Sequence, residues 1–389
     1  MKILQFSSPV TSFSLAALAS LLFIGCQKEG QATNELNQQE MLSASAQKQN
    51  ENKKIGHFNQ VNLTANRAGY GAMNIDPLLK NAWGIAFSSG GTPWIGSQAG
   101  HVSNVYNPEG VPIALNPVHI PNPVAAEGGN PTGVVFNGSS ADFVISGGAA
   151  RFIFVGVDGV VSAWNPTLGN HALRRLTVQG AAFTGLTLAA NSGSNFLYAA
   201  NFSQAKINVW DRNWNIIDMS FTDPGIPSGY APFNIQAVDG NLYVTYAKVG
   251  ADGRSEAGDG KGYVSIFRTN GSFIKRFASG GVLNAPWGVA VVPRSFIKDE
   301  DENDDSSNRN YILIGNFGNG RINAYRTDGK FDGQLRGKKD PIIIDGLWAI
   351  TLPPTTSAID QRRLYFAAGP NHETDGLFGY IIVREDDDN

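Results

Sequence analysis

One aromatic-tipped strand is written six times in this chain, and a repeat at this interval restricts the fold more than any other feature. The copies read Val102-Ser-Asn-Val-Tyr106, Val161-Ser-Ala-Trp164, Ile207-Asn-Val-Trp210, Val264-Ser-Ile-Phe267, Ile322-Asn-Ala-Tyr325 and Leu377-Phe-Gly-Tyr380. Their aromatics recur every 46 to 58 residues or so, about the interval of propellers and solenoids. Each copy alternates apolar with small polar residues, which predicts a strand with one buried face. Five of the six run into turns rich in Asn, Asp, Gly and Pro, such as Asn107-Pro-Glu-Gly110 and Thr327-Asp-Gly329.

A second phrase precedes each copy: Ala82-Trp-Gly-Ile-Ala86, Pro131-Thr-Gly-Val-Val135, Phe183-Thr-Gly-Leu-Thr187, Pro232-Phe-Asn-Ile-Gln236, Pro286-Trp-Gly-Val-Ala290 and Leu347-Trp-Ala-Ile-Thr351. Its third position is Gly or Ala except at Asn234, as crowded inner strands converging on a channel require. Middle strands are predicted at 93–96, 141–145, 196–200, 241–245, 311–315 and 363–367. Outer strands are predicted at 112–115, 173–178, 216–221, 273–277 and 331–335. The last unit has no room for one. However, the alternating segment His57-Phe-Asn-Gln-Val-Asn-Leu-Thr64 lies unassigned before the first unit. The expected fold is therefore all-β: a six-bladed β-propeller with four-stranded blades over residues 56–384. An N-terminal strand added to the last blade closes the ring and removes exposed edges.

Of the 389 residues 42% are hydrophobic and only 16% charged, and the net charge is -3. With no basic field, nucleic acid is excluded as an expected partner. Cys26 is the single cysteine, so disulfides do not hold the fold together. It ends an apolar stretch, Phe23-Ile-Gly-Cys26, which resembles the lipobox of bacterial lipoproteins. That resemblance implies a signal peptide over 1–25 and a lipid on Cys26 as the link to the membrane. Gln27-Lys-Glu29 resembles the surface-export signal of Bacteroidetes lipoproteins, which implies the outer membrane and its outer face. Residues 26–55 are polar and read as a flexible tether, and 385–389 as an acidic tail.

The repeats resemble NHL-type propeller repeats, most clearly in Gly315-Asn-Phe-Gly-Asn-Gly-Arg-Ile-Asn-Ala-Tyr325. The globular part is also similar to an uncharacterised family of secreted bacterial six-bladed propellers, some with PEP-CTERM sorting tails. The carriers are Leu79-Lys-Asn-Ala-Trp-Gly-Ile85, Tyr198-Ala-Ala-Asn-Phe202, Tyr246-Ala-Lys248, Gly315-Asn-Phe-Gly318 and Gly369-Pro-Asn-His-Glu-Thr-Asp-Gly-Leu-Phe-Gly379. The resemblance implies the architecture and no activity. No apolar sorting helix follows Val383, unlike in those members.

Propellers bind at a mouth of the channel, so residues flanking inner strands are the first candidates. They are Asn81, Trp83, Asn130, Trp287, Asp345 and Trp348. Asn201 and Asn316 end middle strands in matching positions, and His372 sits beside Glu373 and Asp375. Asn and Trp together suit a neutral, hydrogen-bonding ligand such as a sugar. Asn equally suits turns, and Trp equally fills the wedge between blades. The expected role is a binding or scaffold protein facing carbohydrate, peptide or another envelope protein, with no catalytic residue and no cofactor assigned. The alternative is a metal-dependent hydrolase resembling sugar-lactonase propellers. There a divalent cation such as calcium would draw on Glu127, Asn130, Asn234 and Asp345. Two insertions leave the repeat, a glycine-rich one at 249–262 and an acidic run at 299–305. The latter lacks the spacing of an EF-hand loop. The five histidines are dispersed at 57, 101, 119, 171 and 372, with no spacing that predicts zinc. No nucleophile elbow or phosphate-binding glycine loop occurs. Ser203-Gln-Ala-Lys206 falls in a turn between predicted strands.

Overall fold

Six small antiparallel sheets stand around one axis, each built from the phrases above. The computed structural model describes Ile55, residues 57–297 and residues 310–384. The signal peptide, Cys26, almost all of the tether, the acidic run 299–305 and the acidic tail lie outside the described residues. Among the described residues, no helix is long and apolar enough to cross a membrane.

Blade 5 shows the common pattern. Pro286–Val292 is innermost, followed outward by Tyr311–Asn316, Ile322–Arg326 and Phe331–Gln334. The inner strands follow one another around the axis, and Leu347–Thr351 of blade 6 returns against Ala82–Phe87 of blade 1. Closure occurs as the sequence predicts. Phe58–Ala65 pairs antiparallel with Leu377–Val383, in register Asn59↔Ile382 and Val61↔Tyr380. Asn74–Ile75 then adds in parallel as the outermost strand of that sheet. Leu63 and Ala65 are fully buried, and the core below the sheet reaches back to Ile55.

Crowding of the inner strands has a measurable cause. A Cβ on Gly84 would lie 2.4 Å from the Thr132 carbonyl oxygen of the next blade. A Cβ on Gly185 would meet the Asn234 side chain at 2.1 Å. Asn234, the exception to the small-residue rule, uses its amide to bridge blades, donating from Nδ2 to the Trp287 carbonyl at 2.8 Å.

Three expectations need correction. The middle strand of blade 2 is Phe152–Gly156, not 141–145. The latter region forms a separate hairpin, Val144–Ile145 with Gly148–Ala149. Its Phe143 is buried edge-on against Trp214 of blade 3 at 5.1 Å, so the apolar run serves packing between blades. The outer strand of blade 1 is Val118–His119, beyond 112–115. Finally, the aromatic strands are buried on both faces, because blades pack face to face. Their small polar residues are therefore buried too, and most are paired. Asn104 donates to Asp76 at 2.8 Å, and Ser265 to Asp223 at 2.6 Å.

Candidate functional site at one mouth of the ring

At one end of the ring the inner strands begin and the middle strands finish. Pro131 pairs with Gly156, Phe183 with Asn201, and Pro286 with Asn316. All nine candidate residues lie at this end, but they occupy two layers.

The lower layer is an aromatic plug. Trp83, Trp287 and Trp348 come from equivalent positions in blades 1, 5 and 6, and all three are buried. Trp348 is central, stacked between Trp83 at 3.6 Å and Phe317 at 3.9 Å, with Trp287 edge-on at 5.9 Å. Phe233 of blade 4 closes on it at 5.6 Å and on Phe202 of blade 3 at 5.2 Å. The indole N–H groups of Trp83 and Trp287 both donate to the Thr184 carbonyl of blade 3, at 3.1 and 2.8 Å. That of Trp348 donates to Asn81 Oδ1 at 2.9 Å. These indoles thus pack across the channel, buried from bulk solvent. Beneath them a cavity of about 50 Å³ remains, lined in part by Gly84, Gly133, Asn234 and Gln236.

The upper layer is a polar rim. Asn81, left-handed at φ 46°, donates through Nδ2 to Gln98 and to Glu373, each at 3.0 Å. Gln98 donates onward to Asn130 Oδ1 at 3.1 Å, and the Asn130 backbone N–H reaches Asp158 at 3.0 Å. Amide side chains therefore link blade 6 through blade 1 to blade 2. Across the mouth, Arg254 from the glycine-rich insertion pairs with Glu373. Asn284 donates to Asp259 at 3.1 Å, beside Asn319. Asn201 and Asn316 are buried braces. Asn201 Oδ1 accepts the Ala182 N–H at 3.3 Å, and Asn316 Oδ1 accepts that of Asn284 at 3.2 Å, which ties each inner strand to the neighbouring middle one.

Asp345 and His372 are exposed on the last segment of the rim, where Asp345 accepts the Asn371 N–H at 2.9 Å. Asn371, His372 and Glu373 are left-handed in succession, with φ of 55°, 56° and 66°. Each such non-glycine residue costs about 1 kcal/mol or more. Asp375 anchors this turn, accepting from Asn66, Arg67, Tyr70 and Asn371 at 2.6 to 3.1 Å. The Arg67 guanidinium above all holds its carboxyl well below the usual carboxylate range, against the opposing effect of burial. Burial first, and the bond to Asp375 second, push the Tyr70 phenol up to about 12.

The oxygen donors considered for a lactonase-type cation serve four separate contacts. Asn130 faces Gln98 and Asp158, Asn234 holds the Trp287 carbonyl, Asp345 caps the Asn371 turn, and Glu127 pairs with His171. They do not form one hard-oxygen shell. In the sequence Glu373 stands out only as a neighbour of His372, and nothing marks Gln98 or Asp158. The only signal for Arg254 is that it lies in an insertion.

No family model matches the chain. An uncharacterised protein of Acanthamoeba polyphaga mimivirus is 32% identical over 337 residues, 82% of this chain and 78% of that protein. The chain belongs to that protein's family. A second member from the same virus, also uncharacterised, is 29% identical over 340 residues, 83% of this chain and 85% of its own. Among solved structures, a protein of unknown function from Bacteroides thetaiotaomicron aligns with a TM-score of 0.50 at 11% identity, over 84% of this chain and 76% of its own. That likeness is one of fold. A streptogramin B lyase aligns with a TM-score of 0.43 at 13% identity, over 84% of this chain and 98% of its own.

Proposed function

We propose that this protein is a binding module of the cell envelope, held to the outer membrane by lipid on Cys26. Its mouth would take a neutral, hydroxyl-rich ligand, with carbohydrate the first choice. The observation that carries this reading is the pair of half-buried amide side chains Gln98 and Asn130, the first held by the buried Asn81. Amides fixed in orientation offer donors and acceptors to hydroxyl groups without a net field. Of the charges beside them, Arg254 and Glu373 neutralise each other, and the Asp158 carboxylate accepts the backbone N–H groups of Asn130 and Val160. Preorganised polar groups favour recognition because less ordering is needed on binding.

The test is a glycan array followed by calorimetry, on purified protein carrying Cys26→Ser. The expected outcome is saturable binding of a neutral saccharide, weakened at least about tenfold by Gln98→Ala combined with Asn130→Ala. Binding that ignores both substitutions would place the ligand elsewhere and refute the assignment of the mouth. The anchor is tested separately by fatty-acid labelling and detergent partition in bacterial cells. Cys26→Ser should abolish the label and release the protein into the soluble fraction.

A further inference from the structure

The histidines that look dispersed in the sequence are not all dispersed in space. His119 lies in the outer strand of blade 1, and His171 just before the outer strand of blade 2. They meet where the two blades adjoin, outside the channel. A parallel bridge aligns them: the His119 N–H donates to Asn170 O at 2.8 Å, and the Ala172 N–H to His119 O at 2.9 Å. Their rings stack with centroids 4.9 Å apart and planes at 24°. Between them stands Glu127, with Oε1 2.8 Å from His171 Nε2 and Oε2 3.8 Å from His119 Nδ1.

The loop that carries Glu127 is held in place by its own contacts. A bridge joins Pro121 to Gly128, the Gly129 N–H donates to Ile120 O at 2.9 Å, and Arg174 donates to Asn122 O at 2.6 Å. His101 contacts Gly129 O at 2.9 Å from beneath.

We infer that His119, Glu127 and His171 form a binding site for a divalent transition metal of the zinc class. One donor atom from each already lies within 4.8 Å of the others. Tetrahedral zinc at about 2.1 Å from each donor needs them about 3.4 Å apart, a closure of at most about 1.4 Å. The three side chains are 31%, 57% and 45% exposed, so they can make that adjustment and leave water at the fourth position. Two imidazole nitrogens and one carboxylate select zinc, cobalt or nickel over calcium, which prefers an all-oxygen shell. The bound ion would staple blade 1 to blade 2 and keep one coordination position open.

The experiment is zinc titration of the full-length chain carrying Cys26→Ser, so that no thiolate competes. Uptake is read by competition with a chromophoric chelator and by elemental analysis after dialysis. One ion per chain is expected, with the affinity lowered more than about 100-fold in His171→Ala, since loss of mere supporting contacts already costs roughly 10–100-fold. Glu127→Gln, an exposed and nearly isosteric change, covers the case in which His171→Ala fails to fold. His57→Ala, an exposed histidine outside both this site and the mouth, should bind as the parent does. Cobalt should give a four-coordinate visible spectrum in the parent that Glu127→Gln lacks. No zinc uptake by the parent, or equal uptake by the parent and either site variant, would overturn the assignment.

Discussion

Blades 5 and 6 have matching inner strands, each with a buried tryptophan in second place, yet they are held together differently. Blade 5 takes its four strands from one stretch of chain, and the turn after its middle strand is short, with the Gly320 N–H donating back to Asn316 O at 3.0 Å. Blade 6 takes three strands from the C-terminal side and two from the N-terminal side. Its corresponding turn is longer, runs left-handed, and reaches residues more than 300 positions away through Asp375. The difference shows where non-local order must be secured. A blade made from neighbours in sequence closes cheaply, whereas joining the two ends of a chain costs more loop entropy. Polar contacts at Asp375 and apolar burial of Phe58, Leu63 and Ala65 offset that cost.

The largest expected effect is on that seam. Deletion of residues 57–65 should abolish cooperative thermal unfolding followed by circular dichroism, because the loss approaches the whole stability of a domain, about 5 kcal/mol or more. Deletion of 27–52 should leave the melting temperature within about 2 °C. Equal melting of the two truncations would erase the contrast between the blades.

Trp348→Ala comes next, at about 3–5 kcal/mol in denaturant unfolding. Trp287→Ala in blade 5 should cost about 1 kcal/mol less, since it loses one ring partner where Trp348 has four. Equal costs would mean that the plug has no centre.

Asp375→Asn should cost about 2 kcal/mol, because an amide turns one acceptor into a donor facing four donors. The folded-state carboxyl titrates below its unfolded value, so its stabilisation is complete above about pH 4 and fades as pH falls further. Unfolding curves across that range should show a steeper acid loss in the parent than in the variant. The smallest effect on stability belongs to Gln98→Ala, within about 1 kcal/mol, even though it sits in the proposed binding rim.

Much of this architecture was legible because the repeat constrains it. The aromatic strands, the inner strands and the closing strand are each visible as alternation at a fixed interval. Blade 2 was misread because Phe143-Val-Ile145 and Phe152-Ile-Phe-Val155 are equally apolar, and apolarity does not say whether a run packs between blades or within a sheet. The better guide was Val157-Asp-Gly159, a three-residue hairpin turn with Gly159 left-handed, joining Phe152–Gly156 directly to the aromatic strand. The site was less legible. Trp83, Trp287 and Trp348 read alike as ligand-stacking or wedge-filling residues, and only their mutual stacking separates the two. The meeting of His119 with His171 depends on two blades lying side by side, which no local spacing encodes.

The central claim is that the chain's two ends form one sheet. The most direct measurement places cysteines at Asn59 and Ile382, directly opposite in the closing pair, in a Cys26→Ser background. Mild oxidation of the native protein should give a quantitative disulfide, by mass spectrometry, and raise the melting temperature. Two free thiols under the same conditions, in protein that remains folded, would contradict the closed ring.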